Sequence, residues 1–276
     1  MQRTERPVAL NWFLRMDPQI ARVYGTAAWV ARRHGGLLRA LADRGDLMGL
    51  HVHAYRWDEV TPGWVTDHGD PQWVERCVAD GVRAFVAAWG HPPRAFRFGD
   101  RWLSNRVISQ LARLGVRQDL TLEPGTKAIP ALRPSERTTG SLPDFRHAPR
   151  HPYRPANADY RVEGQWPFRR RLWMLPVSTG CVNGPPLPNR IEPRHDFVHL
   201  NLGLSPEWIR HLLDGLLEAE PIVVSVARTG DALHPEGRAN LLENLERLAT
   251  HAGMAQRVVT SPAKAIGIFR RRGRSR

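Results

Sequence analysis

Two segments of this chain constrain its fold more than any others. The first, Gly45 to Tyr55, is apolar from Leu47 to Val52 and ends in the pair His51 and His53. The second, Arg94 to Trp102, carries the short apolar stretch Phe96-Arg97-Phe98 and then Gly99-Asp100-Arg101. In each, a strand closes on a polar turn and a helix pattern follows. An α/β barrel builds a polar site in this way, at the carboxyl ends of its strands.

The same alternation recurs along the chain. Val8 to Leu14 is rich in β-formers and too short for a helix. Asp17-Pro18 signals a helix start, with aspartate as N-cap and proline at the first position. Ala27 to Ala42 predicts a helix, Leu47 to Val52 a strand and Pro71 to Trp89 a helix with an apolar stripe. Phe96 to Phe98 predicts a strand, Asn105 to Leu114 a helix ended by Gly115, and Val116 to Leu122 a strand. Further on, Leu172 to Val177, Pro221 to Ala227 and Arg257 to Thr260 predict strands. Ser205 to Leu217, Glu236 to His251 and Pro262 to Phe269 predict helices. Strands alternating with helices imply a parallel sheet with outer helices. Residues 123–168, dense in Pro, Gly, Ser, Arg and Asn, predict a long insertion over the barrel face. The expected organisation is one domain over residues 1–269 and a basic, disordered tail at 270–276.

The formal charge of +13 invites a nucleic-acid reading. It is discounted, because nearly all the basic residues are scattered arginines; only Lys127 and Lys264 are lysines. No apolar run approaches the ~18 residues of a membrane span. The start of the chain is too polar for a signal peptide, and Cys77 and Cys181 form no motif, which fits a reducing compartment; a cytoplasmic location is expected.

On a strand, His51 and His53 at i, i+2 share a face, so they suit one metal ion or a packed polar pair at a barrel mouth. Arg97 and Asp100, after a strand, suit an anionic group, the orientation of a carboxylate base, or a structural ion pair. Arg15 and Asp17 follow the first strand in the same way, Asp17 with its competing role as N-cap. Asp67, His68 and Asp70 lie in a Gly/Pro-rich loop and read mostly as a solvated turn. Arg228, Asp231 and His234 follow a predicted strand and are expected on the active face. Ten tryptophans is a high count, and Trp12, Trp57, Trp64, Trp102 and Trp166 fall in or near these loops, where flat rings suit a sugar.

These residues resemble the polysaccharide deacetylase family, the NodB-homology or carbohydrate esterase 4 fold. Asp46-Leu-Met-Gly-Leu-His51 is similar to the family's D/H-E-I-G-x-H strand. Phe96-Arg97-Phe98-Gly99, with Leu111, Leu114, Gly115 and Asp119, is similar to its F-R-x-P-x-G … L-x-x-L-G … D segment, and Val8 to Leu14 to its A-T-F-F strand. The resemblance implies a NodB-like (β/α) barrel, irregular or incomplete, and a hydrolase that removes an acyl group, such as acetyl, from a carbohydrate derivative. It implies a divalent metal, zinc in many members, whose bound water is the nucleophile. His51 takes the place of the first metal histidine, and Arg97 that of the arginine orienting the base. The second metal histidine falls at Tyr55, so His53 stands in as the other ligand. Asp100 and Asp17 are candidates for the carboxylate role, since the family's Asp-Asp strand precedes the A-T-F-F strand and is not in this sequence. The sequence starts late, or the chain is a divergent branch. The alternative function is a catalytically inactive relative that binds carbohydrate or another partner through the same face. Oligomeric state stays open.

Overall fold

The computed structural model describes residues 8–129, 137–184 and 194–272. Its centre is a five-stranded parallel sheet in the order β1 (Asn11–Arg15), β2 (Leu47–Val52), β5 (Ala95–Phe98), β6 (Gln118–Asp119) and β8 (Trp173–Met174). Helices α1 (Pro18–Tyr24), α2 (Trp29–Arg33) and α3 (Gly35–Asp43) connect β1 to β2. A hairpin of β3 (Tyr55–Asp58) and β4 (Gly63–Asp67), then α4 (Pro71–Trp89), lead to β5; α5 (Asn105–Arg113) leads to β6. The short β7 (Thr138–Thr139) pairs parallel with β4. β9 (Thr179–Gly184) and β10 (Arg194–His199) form an antiparallel pair, followed by α6 (Pro206–Ala219), α7 (Pro235–Thr250) and α8 (Pro262–Arg272).

The pleat sorts each strand into two faces. Leu14, Met48, Leu50, Val52, Phe96 and Phe98 point outward and share a buried core with Leu38 of α3, Val74, Cys77, Val78 and Phe85 of α4, and Val107, Ile108 and Leu111 of α5. The inner face begins as an apolar layer in which Phe13, Leu47, Trp173, Ile222 and Val224 pack on the buried Ala95, Leu120, Leu175 and Ile266. Gly49 leaves room there for Phe13, since a Cβ at that position would lie 2.9 Å from the phenyl ring. Above this layer the inner face turns polar, with Arg15, His51 and Arg97 in one register line.

No closed barrel is formed by the strands of this sheet. Single backbone bonds continue its pairing: Val177 N to Leu122 O follows the β6–β8 contact, and past β8 Ser178 N bonds Val224 O and Val226 N bonds Leu200 O. The predicted strand at Pro221–Ala227 is thus a line of isolated bonds, and Arg257–Thr260 forms no strand either, meeting the sheet where the Asn11 amide donates to Thr260 O. The predicted helix at Ala27–Ala42 breaks in two at His34, before Gly35 and Gly36, which weaken a helix interior. Residues 123–168 do more than cover a face: Phe145, Ala148, Tyr153 and Tyr160 are buried in the outer core. Arg270, Arg271 and Arg272 of the expected tail belong to α8, as suits good helix formers; 273–276 lie outside the described residues, as do residues 1–7. Among the described residues no helix is long and apolar enough to cross a membrane.

Candidate active site

At the carboxyl edge of the sheet, β1, β2 and β5 end side by side on Arg15, His51 and Arg97. Asp17, fully buried, ties this edge together. Its Oδ1 accepts from Ile20 N and caps α1, and its Oδ2 accepts from the His53 amide and from Arg15 Nε at 2.8 Å. The predicted N-cap is therefore present, and the carboxylate has no idle oxygen for a reactant.

His51 and His53 do converge, with their Nε2 atoms 3.0 Å apart. His51 Nδ1 donates to the Arg97 carbonyl at 2.8 Å, and His53 Nδ1 faces Asp100 Oδ2 at 3.1 Å. A carbonyl and a carboxylate only accept, so both protons of the neutral rings sit on Nδ1 and both Nε2 atoms carry lone pairs. Two lone pairs facing each other at that distance form a place that one added proton would fill. Burial, with the charges of His53 and Arg97, holds the His51 pKa well below its ordinary value. Asp100 is held below the usual carboxylate range by its hydrogen bond to His53 and the surrounding histidines, despite burial. The turn that delivers it is strained: Asp100 and Arg101 both adopt left-handed conformations, at φ 54° and 47°. The His53 ring lies against Gly99 on one side and stacks on Tyr55 at 5.0 Å on another.

The side chain of Arg97 is mostly covered and pairs with neither Asp17 nor Asp100. Its Nη1 donates to Leu120 O at 2.7 Å and its Nη2 meets Glu123 Oε1 at 3.2 Å. Glu123 is itself buried and faces His199 Nδ1 at 3.5 Å through its other oxygen. Sequence reasoning missed Glu123 and His199. Glu123 follows β6 closely, at the same sheet edge as the other polar turns, and that position was its one signal.

The Asp67–Asp70 cluster is not a solvated turn. Asp67 and His68 are buried, because β4 and its pairing with β7 fix the segment. Asp67 meets Arg56 at 3.2 Å and accepts from Thr139, while Asp70 caps α4. His68 stacks on Trp102 at 5.4 Å, with neither ring nitrogen hydrogen-bonded among the described residues, and burial lowers its pKa to about 4. Arg228 and His234 are exposed, and Asp231 starts a short 3-10 turn against Gly203. Trp12 donates to Asp46 at 2.8 Å, Trp102 is buried, and Trp166 is exposed.

Two imidazoles with orienting partners on their far nitrogens have the supporting pattern of metal ligands. A zinc site needs at least three protein ligands, and among the described residues no group of three His, Cys, Asp or Glu side chains is placed to hold a metal ion. Asp17 is committed to the N-cap, Asp100 to the far side of His53, and Tyr55 stacks on the ring. The residues present do not fit the three-ligand centre that the family resemblance implies.

No family model matches the chain, and no curated protein matches it in sequence. Its structure is similar to that of a "putative polysaccharide deacetylase" from Mycobacterium smegmatis, with TM-score 0.50 and 16% identity over 96% of this chain and 90% of that one. That likeness shows a shared α/β fold. A GH57 branching enzyme from Thermococcus kodakaraensis, solved with glucose, is 9% identical over 91% of this chain and 50% of that one, with TM-score 0.41, too distant to bear on the fold.

Proposed function

We propose that this chain is a hydrolase that removes an acyl group from a carbohydrate derivative, with the His51–His53–Asp100 relay handling the proton. The observation that carries the reading is the contact between the two Nε2 atoms at the carboxyl edge of the sheet, backed by a carboxylate on His53. A base needs a nitrogen lone pair at neutral pH, and His51, held neutral by burial, supplies one. Water that attacks the acyl carbon gives its proton to the pair, leaving a positive charge on the rings that Asp100 balances at His53 Nδ1; that proton then passes to the sugar nitrogen or oxygen as its bond to the acyl carbon breaks. Arg15, a third exposed and at the same edge, is engaged with Asp17 and Gln19 and would have to share its guanidinium with a developing oxyanion. The shared fold with a protein described as a polysaccharide deacetylase supports the substrate class, as do the family-like segments around His51 and Arg97.

The test is acetate release from N-acetylglucosamine oligomers and O-acetylated xylan, with metal analysis of the purified protein. Release lost in His51→Ala and Asp100→Ala supports the reading; no release from either substrate refutes it. Stoichiometric zinc lost in His51→Ala would replace the relay by a metal centre. The second reading, a non-catalytic carbohydrate-binding relative, is favoured by the missing third ligand and by Tyr55 against His53.

A further inference from the structure

Beside the histidine pair lies a recess of about 280 Å³ lined by Tyr55, Trp57, Trp64 and Trp73 with Arg22 and Arg56. All four aromatic residues are only half-buried, and of the four Trp73 also packs on the outer core. Trp57 and Trp64 face each other across the β3–β4 hairpin with ring centroids 5.3 Å apart, edge to face. Arg22 lies over Trp57 at 5.2 Å, and Arg56 over Trp73 at 4.7 Å. Tyr55 is the wall shared with the catalytic edge, since its ring also stacks on His53. The recess is at the small end of ligand sites, the size for one ring and not a long chain.

Its charge selects the ligand. Both arginines are already neutralised, Arg22 by Glu59 at 2.9 Å and Arg56 by Asp70 at 2.6 Å and Asp67 at 3.2 Å. Neither arginine of the lining is left with its charge unmatched. What the recess offers is flat aromatic faces, which suit the C–H face of a sugar ring, beside guanidinium donors that suit hydroxyl groups.

We infer that this recess is a subsite for one neutral sugar ring, which places the neighbouring ring of the same chain beyond Tyr55, at His51 and His53. The inference rests on the carbohydrate reading above. It adds that recognition is of the ring and not of the acyl group, so acetylated and unacetylated oligomers bind alike.

The experiment is calorimetric titration, with tryptophan fluorescence alongside, using the N-acetylglucosamine tetramer and a glucose tetramer. The wild-type chain is expected to bind both, and Trp57→Ala to bind about tenfold more weakly or worse. Far-UV circular dichroism and the melting temperature check that Trp57→Ala folds. Because Trp57 also pairs across the hairpin, the exposed Arg22→Ala serves as a second variant and is expected to weaken binding at least threefold. No binding by the wild type, or unchanged binding by both variants, overturns the subsite. Acetate release with unchanged KM in both variants refutes the subsite and leaves the hydrolase standing. Tetramer binding lost in the variants with no acetate released by the wild type refutes the hydrolase and leaves the subsite.

Discussion

Gly99→Ala places a methyl group where the histidine relay has no room for one. A Cβ on Gly99 would lie 2.6 Å from Cγ of His53 and closer still to Nδ1 and Cε1. Ordinary carbon contacts begin near 3.5 Å, so the imidazole must retreat by about 1 Å. Its other side is taken by Tyr55, stacked at 5.0 Å, so it cannot slide away without moving that ring as well. A retreat of that size stretches the contacts to Asp100 and His51, now 3.1 and 3.0 Å, beyond hydrogen-bonding range. Overpacking of this kind costs about 1–3 kcal/mol of stability. A misplacement of about 1 Å at a reacting group costs about 10²-fold in rate. The assay is kcat/KM for acetate release, with imidazole ¹⁵N NMR to read the protonation of both rings independently of turnover. A folded Gly99→Ala protein with wild-type imidazole shifts would refute the packing; shifts that move with kcat/KM unchanged would remove the relay from the chemistry.

Asp100→Asn keeps the shape of the turn but removes the charge that balances His53; kcat is expected to fall at least tenfold with little change in KM, checked by steady-state kinetics across pH 5–9. His68→Phe should stabilise the fold by about 1–3 kcal/mol at pH 7, because it removes two buried nitrogens without partners while keeping a ring on Trp102. With a folded pKa of about 4 against 6.5 unfolded, wild-type stability is complete above pH 6.5 and is lost as the pH falls toward 4, by at most about 3 kcal/mol. The advantage of the variant in urea midpoints should widen over that window. Asp119 behaves oppositely: burial raises its pKa to about 7, so the unfolded carboxyl ionises first and wild-type stability falls as the pH rises from about 4 to 7. Asp119→Asn should gain on wild type across that range in urea unfolding, with the Thr121 hydroxyl turned to accept from the new amide.

The elements readable from sequence were those whose residues fit one period over their whole length. Strand Leu47–Val52 and helix Pro71–Trp89 have their predicted limits, and Asp17 and Pro18 start α1 as their chemistry dictates, while the capping role of Asp70 was not read. Val116–Leu122 and Leu172–Val177 read as full strands but pair over two residues each, because the number of ladder bonds depends on neighbours distant in sequence. Phe145, Tyr153 and Tyr160 carry no period, so their place in the core could not be seen. In the site, the i, i+2 spacing was enough to bring His51 and His53 together. The spacing did not contain the direction of Asp100, which depends on two left-handed residues, or the pairing of Arg97 with Glu123 from another strand's loop. His68 was misread because the strand that buries it, β4, was read as loop.

Asp17 has a mechanical meaning beyond its hydrogen bonds. One carboxylate clasps the first turn of α1, the amide of His53 and the guanidinium of Arg15. The same helix contributes Pro18 and Arg22 to the wall of the aromatic recess. A ring that pushes on that wall therefore leans on the anchor that sets the height of His53. If the recess takes a sugar ring and the histidine pair handles the proton, as proposed, occupancy of the one would bear on the alignment of the other through Asp17.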